Sequence, residues 1–186
     1  IAAASDSCLA VCSDGTVAAW GWNYYGQLGN GQTTNSFVPV QVDHTGVLAG
    51  KSVVSVSGGG SHCLALCSDG TVVSWGRNNR GNLGDGTKKE FSSVPVSVKR
   101  DGVLAGKKVM AITAGLESGA ALCTDGVLAE WGGLFNDNTP ALVRVGELAV
   151  GKQPVSLSQG ANDDVLVLCV DGTMLIWRNL SGTLEP

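Results

Sequence analysis

The chain predicts an all-β repeat fold, and two observations carry that reading. The block CLALCSDGTVVSWG, from Cys63 to Gly76, recurs as CLAVCSDGTVAAWG from Cys8 to Gly21, as GAALCTDGVLAEWG from Gly119 to Gly132 and as VLVLCVDGTMLIWR from Val165 to Arg178. The tryptophans Trp20, Trp75, Trp131 and Trp177 are spaced by 55, 56 and 46 residues, and Cys12, Cys67, Cys123 and Cys169 by the same three intervals. Two independent anchors on one period mark units of one design. The period matches propeller blades and exceeds that of helical or leucine-rich solenoids. The expected architecture is a partial β-propeller of about three to four four-stranded antiparallel blades. Residues 1–186 form a single repeat domain with units around 1–45, 46–101, 102–145 and 146–186.

Each strand of a unit has its own justification. Cys63, Ala65 and Cys67 project to one side of a strand and Leu64 and Leu66 to the other. Both sides are apolar, so this strand is expected to be buried on two faces. Asp69-Gly70 suits a two-residue hairpin turn with positive φ, and Thr71 to Trp75 returns as the paired strand. Asp14-Gly15, Asp125-Gly126 and Asp171-Gly172 repeat that turn. An opening strand ends GVLAGKSVVSV (Gly46 to Val56), GVLAGKKVMAI (Gly102 to Ile112) and GELAVGKQPVSL (Gly146 to Leu157). A closing strand holds VPVQV (Val38 to Val42), VPVSV (Val94 to Val98) and PALVRV (Pro140 to Val145). Proline cannot donate a ladder hydrogen bond, which puts the closing strand outermost, at an exposed edge. A flat sandwich would not require near-identical hairpins at constant spacing.

The third unit is shortened. WGGLFNDNTPALV (Trp131 to Val143) stands where the second unit has WGRNNRGNLGDGTKKEFSSVPV (Trp75 to Val96), a loss that falls in a surface loop and not in a strand. Nine residues follow Trp177, with no proline strand among them, and Ile1 to Ala4 align with only the tail of an opening strand.

Composition narrows the function classes. Charged residues make up 15% of the chain, apolar residues 44%, and there are 27 glycines, a profile of compact β structure with many tight turns. The net charge of -4 with a pI near 5.0 argues against nucleic-acid binding, which needs a basic face to displace phosphate counterions. The doublets Lys88-Lys89, Lys99-Arg100 and Lys107-Lys108 read as solvated loop charges. No stretch approaches the roughly 20 apolar residues of a membrane helix, and no membrane partner is expected.

Each residue group that could suggest chemistry has a structural reading. Gly26-Gln27-Leu28-Gly29-Asn30-Gly31 and Gly81-Asn82-Leu83-Gly84-Asp85-Gly86 lack the following helix and the Lys-Ser or Lys-Thr of a phosphate loop, so their glycines serve turns with positive φ. Cys8 and Cys12, like Cys63 and Cys67, are four apart on a strand and beyond disulfide reach; zinc spacing is absent, and the six thiols are expected to be buried, free and apolar in role. Reduced thiols lean towards a cytoplasmic setting, with an extracytoplasmic bacterial surface left open. His62 is expected to make a structural hydrogen bond beside the opening strand, and His44 lies in a different context. Asp137, Asp163 and Asp164 are acidic loop residues without calcium-loop spacing. No triad recurs, and no catalytic residue, cofactor or metal is assigned.

What remains for function is surface. Trp22, Tyr24 and Tyr25 in the first loop, and Arg77, Asn79 and Arg80 at the equivalent place in the second, differ while the glycines around them stay constant. Aromatic residues and arginine are enriched at interface hot spots, so these six are the candidate partner contacts.

The segments WGWNYYGQLGNGQ (Trp20 to Gln32), WGRNNRGNLGDGT (Trp75 to Thr87) and GGGSHCLALCSDG (Gly58 to Gly70) resemble repeats of the regulator-of-chromosome-condensation family, of a bacterial type. They combine G-x-x-H-x-x-A-L, D-G-x-V, W-G-x-N and G-x-L-G-x-G in one order. The resemblance implies a propeller, usually of seven blades, of which this chain holds about half. Either the chain is a piece of a longer propeller, the favoured expectation, or two copies complete each other as a homodimer. The implied function is a non-catalytic scaffold for a protein partner, as in propellers attached to ubiquitin ligases or a secreted bacterial β-lactamase inhibitor. Guanine-nucleotide exchange on a small GTPase is the alternative, although the wedge-like insertion it needs is not seen. The Gly-Trp-Arg-His-Thr motif of the family's plant photoreceptor is absent.

Overall fold

The computed structural model describes residues 1–133, 137–143, 151–160, 162–178 and 183–185. Four antiparallel sheets of four strands follow one another along the chain. The first holds β1 (Ala2–Ala3), β2 (Ser7–Val11), β3 (Val17–Gly21) and β4 (Ser36–Gln41). The second holds β5 (Val53–Gly58), β6 (His62–Cys67), β7 (Val72–Arg77) and β8 (Phe91–Ser97). The third holds β9 (Val109–Ala114), β10 (Ser118–Cys123), β11 (Leu128–Gly132) and β12 (Asp137–Leu142). The fourth holds β13 (Pro154–Gln159), β14 (Val165–Cys169), β15 (Met174–Arg178) and β16 (Thr183–Glu185). Each sheet is a plain meander, and the chain is a partial β-propeller of four blades.

The two-faced strand of the blade decides the packing. Every residue of β6 and of β10 is buried. Cys63, Ala65 and Cys67 pack with Leu9, Val17 and Ala19 of the first blade, while Leu64 and Leu66 pack with Val109, Ala121, Cys123 and Trp131 of the third. A third cluster joins Ala120, Leu122 and Leu128 to Val165, Val167, Cys169 and Leu175. The core is therefore a series of inter-blade layers, as expected where each unit buries its faces only against neighbours. The opening strands β1, β5, β9 and β13 touch one another in series from blade to blade and so lie innermost, with β2, β6 and β10 each also meeting the next opening strand. Backbone bonds lace them together, Ser5 N–H to Gly59 O at 3.2 Å and Gly60 N–H to Gly115 O at 3.1 Å. Pro39, Pro95 and Pro140 lie on the outer strands β4, β8 and β12.

Four expectations are corrected. The Asp-Gly turn is a three-residue loop: Gly15 N–H reaches Cys12 O, Cys12 N–H reaches Thr16 O, and only the glycine has positive φ, at 82°. The aspartate takes a right-handed conformation instead, which is the type I turn with a glycine bulge. After Trp177 a closing strand does form, the three-residue β16, without a proline pattern to announce it. Asp137 opens strand β12 and does not lie in a loop. Cys12 is exposed and Cys8 half-buried, while the other four thiols are buried and all six are free. As expected, the shortened third unit keeps its closing strand. Residues 134–136 of its loop, and residues 144–150 with the predicted border between the third and fourth units, fall outside the described residues.

A loop from each of the first two blades clamps the next blade. The segment 26–31 lies over the indole of Trp75, whose N–H donates to Gln27 O at 2.8 Å. The segment 81–86 does the same for Trp131, through Asn82 O at 3.0 Å. A Cβ at Gly29 would stand 2.9 Å from Trp75 Nε1, and one at Gly84 2.7 Å from Trp131 Cδ1, with φ of +64° and +60°. Only glycine meets both demands, close approach and left-handed backbone. In the third blade, which lacks this loop, Glu130 takes over: its Oε2 accepts the Trp177 indole N–H at 2.9 Å.

Candidate functional site

The loops after β3 and β7 emerge at the same end of the blades, opposite the Asp-Gly hairpins. A buried asparagine organises each. Asn23 Oδ1 accepts Leu28 N–H at 2.8 Å, and its Nδ2 donates to Gln32 O and Thr34 O, both at 3.0 Å. Asn78 Oδ1 accepts Leu83 N–H at 3.0 Å in the second loop, and Asn78 N–H reaches Glu90 O at 2.7 Å. These bonds satisfy backbone groups that no strand partner can reach. The residues beside each asparagine are left facing outward on a fixed frame.

Of the six candidate contacts, four meet. Trp22 and Tyr24 stack with centroids 5.9 Å apart and planes 13° apart. Tyr25 stands edge-on to both, at 6.0 Å from Trp22 and 4.9 Å from Tyr24. The Arg77 guanidinium lies 5.0 Å from the Tyr25 ring centroid, a cation–π contact that ties the second blade to the first. Trp22 is 37% exposed and Tyr24 64% exposed. Arg80 is apart from this group, paired with Glu117 at 3.5 Å across to the third blade. Asn79 is exposed and makes no side-chain hydrogen bond among the described residues.

Beside the ridge runs a groove of about 240 Å³ lined by Asp6, Ser61, Arg77, Asn82, Leu116 and Glu117. Its acids, Asp6 and Glu117, were missed from sequence. The repeat spacing carries the signal, because Asp6, Ser61, Glu117 and Asp163 occupy one position of the four units. Asp163 is buried with φ of 62°, and its Oδ1 accepts Glu117 N–H at 2.9 Å and Ser118 N–H at 3.1 Å.

The two histidines are not brought together. His62 is fully buried against Gly59, and burial holds its imidazole down to about 4, with Asp163 and the Ser118 backbone pulling weakly the other way. Neither ring nitrogen completes a well-aligned hydrogen bond among the described residues, and the expected structural hydrogen bond is reduced to the pull of the Ser118 backbone on a ring held by packing. Burial likewise pushes the Cys63 thiol far up and the Cys67 thiol up to about 11, which leaves both as unreactive thiols at neutral pH. Among the described residues no three His, Cys, Asp or Glu side chains are grouped to hold a metal.

Comparison with known proteins agrees with this geometry. The Regulator of chromosome condensation (RCC1) repeat matches residues 14–66 and 69–122. The Ultraviolet-B receptor UVR8 of Arabidopsis thaliana is 37% identical over 116 residues, 62% of this chain and 25% of the receptor. Among solved structures, human WBSCR16 superposes with a TM-score of 0.83 at 25% identity, covering 97% of this chain and 47% of that one. Yeast RCC1 (Prp20), crystallised with Kap60, superposes at 0.70 with 19% identity, covering 86% of this chain and 39% of that one. The chain thus spans a quarter of the plant receptor's length and less than half of these two structures. Four blades of one design, the first two with glycine clamp loops that fall within the two matched repeats, make this chain a member of the regulator of chromosome condensation repeat family.

Proposed function

We propose that this chain is a non-catalytic interaction module that holds a protein partner against the ridge Trp22, Tyr24 and Tyr25, with Arg77 and the adjoining groove as its polar rim. One observation carries the reading: large aromatic side chains stand exposed on a loop that buried Asn23 holds rigid. Exposed aromatics on a fixed frame lose little conformational entropy on binding, the property that makes them anchors. The acidic balance of the chain favours a protein over a polyanion. The yeast relative's crystals with Kap60 supply a precedent for partner binding in the family.

The test compares the wild-type chain with Trp22→Ala/Tyr24→Ala in crosslinking and affinity measurements on its source proteome. A partner that uses the ridge loses about thirtyfold or more in affinity, as hot-spot truncations do, while the melting temperature stays unchanged. Equal retention of every partner by both proteins would overturn the assignment. Faster nucleotide release from a panel of small GTPases would replace it with exchange activity.

A further inference from the structure

The chain holds a single Asn-Gly pair, Asn30-Gly31, and it lies in the clamp loop of the first blade. In such a pair the asparagine side chain is open to attack by its own backbone, because glycine puts no side chain beside the following amide nitrogen. Asn30 is half-buried and Gly31 exposed, so water reaches both. The second clamp loop has Asp85-Gly86 at the equivalent place, an aspartate where the first has the amide.

Two sets of contacts act on this pair in opposite directions. Asn30 Oδ1 accepts the Gln32 N–H at 3.2 Å and an Asn23 Nδ2 hydrogen at 3.5 Å. Donors aimed at that oxygen stabilise the negative charge it gains when its carbon is attacked. The nucleophile, however, is held away: the Gly31 N–H donates to Ser93 O on β8 of the second blade at 2.9 Å, with φ of 80° at Gly31. Only when this bond opens can the nitrogen turn on the side chain. The bond is part of the clamp, since Gly26 packs on Ser93 and Gly29 on Trp75 in the same loop. A carboxylate at this place is compatible with the fold. Asp85 Oδ1 accepts Thr87 N–H and the Thr87 hydroxyl, each at 2.9 Å, while Gly86 N–H still reaches Asn138 O of the third blade at 2.6 Å.

We propose that Asn30 is a site of spontaneous deamidation gated by the contact of its loop with the second blade. When the loop lifts from Ser93, Gly31 N attacks Asn30 Cγ. The N–Cγ bond forms, the Cγ–Nδ2 bond breaks, the Gly31 proton leaves with Nδ2 as ammonia, and a succinimide ring remains. Water then opens the ring, at the side-chain carbonyl to give aspartate or at the backbone carbonyl to give isoaspartate. Aspartate reproduces the second loop and keeps the clamp. Isoaspartate adds one methylene to the backbone between Gly29 and Gly31, where Gly29 already lies too close to Trp75 for a Cβ. The lengthened loop cannot hold both Gly29 on Trp75 and Gly31 N–H on Ser93 O, so the clamp loosens. The site belongs to the loop itself and stands whether or not the aromatic ridge takes a partner.

The experiment holds the chain at mildly alkaline pH and follows conversion of amide to acid at Asn30 by peptide mapping and mass spectrometry. A synthetic peptide of residues 23–35 is the ungated reference. Asn30 converts in the folded chain, about thirtyfold or more slowly than in the peptide, because the reaction waits on local opening. Gly29→Ala, whose methyl group meets the Trp75 indole, brings the folded rate to within about threefold of the same variant peptide. Conversion of the folded wild-type chain at the peptide rate overturns the gate, as does a folded Gly29→Ala that converts no faster than wild type. If that variant does not fold, urea below the unfolding transition takes its place. Deamidation and hydrogen exchange of the Gly31 amide then rise together, and exchange that rises alone overturns the proposal. No conversion at Asn30 in the folded chain, after the peptide has converted fully, overturns the site. Asn30→Asp melts with the wild-type chain, whereas the isoaspartate fraction, separated by ion exchange, melts lower; equal melting of these two overturns the assigned loosening.

Discussion

His62 lies uncharged at the inner end of β6, and its environment links stability to pH. The folded chain binds its proton only near pH 4, whereas an unfolded chain binds it near 6.5. Between these values the unfolded state holds more protons, so stability falls as pH drops from 6.5 to 4, by about 3 kcal/mol in all. Urea midpoints at pH 7 and pH 4.5 should therefore differ more for the wild-type chain than for His62→Leu, and parallel losses in the two would show that burial does not hold the proton off. Asp69, Asp125 and Asp171 act in a separate window. Their carboxyls are held below 3.8, with the lysine hydrogen bond the largest cause, so what they contribute is present above 3.8 and is lost as pH falls further. At this scale the sequence is informative where geometry is local. The positive φ of Gly26, Gly29 and Gly31 follows from residue type, whereas the organising bonds of Asn23 reach as far as Thr34 and depend on how the whole loop closes.

The loops after β3 and β7 combine two tasks, presenting the aromatic ridge and clamping the tryptophan of the next blade. Where the third blade lost its loop, a single carboxylate on β11 accepts the indole N–H. Glu130 stands in the register position of Ser74, whose hydroxyl instead donates to Leu83 O of its own loop at 2.6 Å. Glu130→Ala should cost about 2 kcal/mol by leaving the Trp177 N–H without an acceptor, and Glu130→Gln, which keeps an amide oxygen, less than half of that. Equilibrium urea unfolding followed by tryptophan fluorescence measures both. Equal losses would show that the charge or the packing of the side chain matters, and not the acceptor. The deletion itself was legible in the spacing of the tryptophans. The compensation was not, because a glutamate in the middle of an apolar strand carries no mark of the partner it reaches in the next blade.

Across the whole molecule, position in the series of blades decides what an identical residue is worth. Leu64 and Leu166 occupy the same place in the repeat, yet Leu64 is 0% exposed and Leu166 is 37% exposed. Leu64→Ala should cost about 3 kcal/mol or more through the cavity it leaves between two blades, and Leu166→Ala about 1 kcal/mol or less. Chemical denaturation of the two variants tests this, and comparable losses would show the fourth blade's outer face to be covered in solution. The same reasoning explains Cys8 and Cys12. Repeat equivalence marked them as buried, yet Cys12 is exposed and Cys8 half-buried, because burial at this position is set by contact with a neighbouring blade and not by the strand's own pattern.

Strand order, the four-stranded blade, the outer place of the proline strands and the two-faced character of β6 all follow from patterns of period two set within a period of about fifty residues. These are local or strictly recurrent, so they can be read along the chain. The clamp of Gln27 O on Trp75, the rescue of Trp177 by Glu130, the meeting of Trp22, Tyr24, Tyr25 and Arg77, and the open faces at either end required the folded molecule. Each depends on contacts between residues of different units, whose relative placement is set by how blade stacks on blade and is not encoded in any one segment.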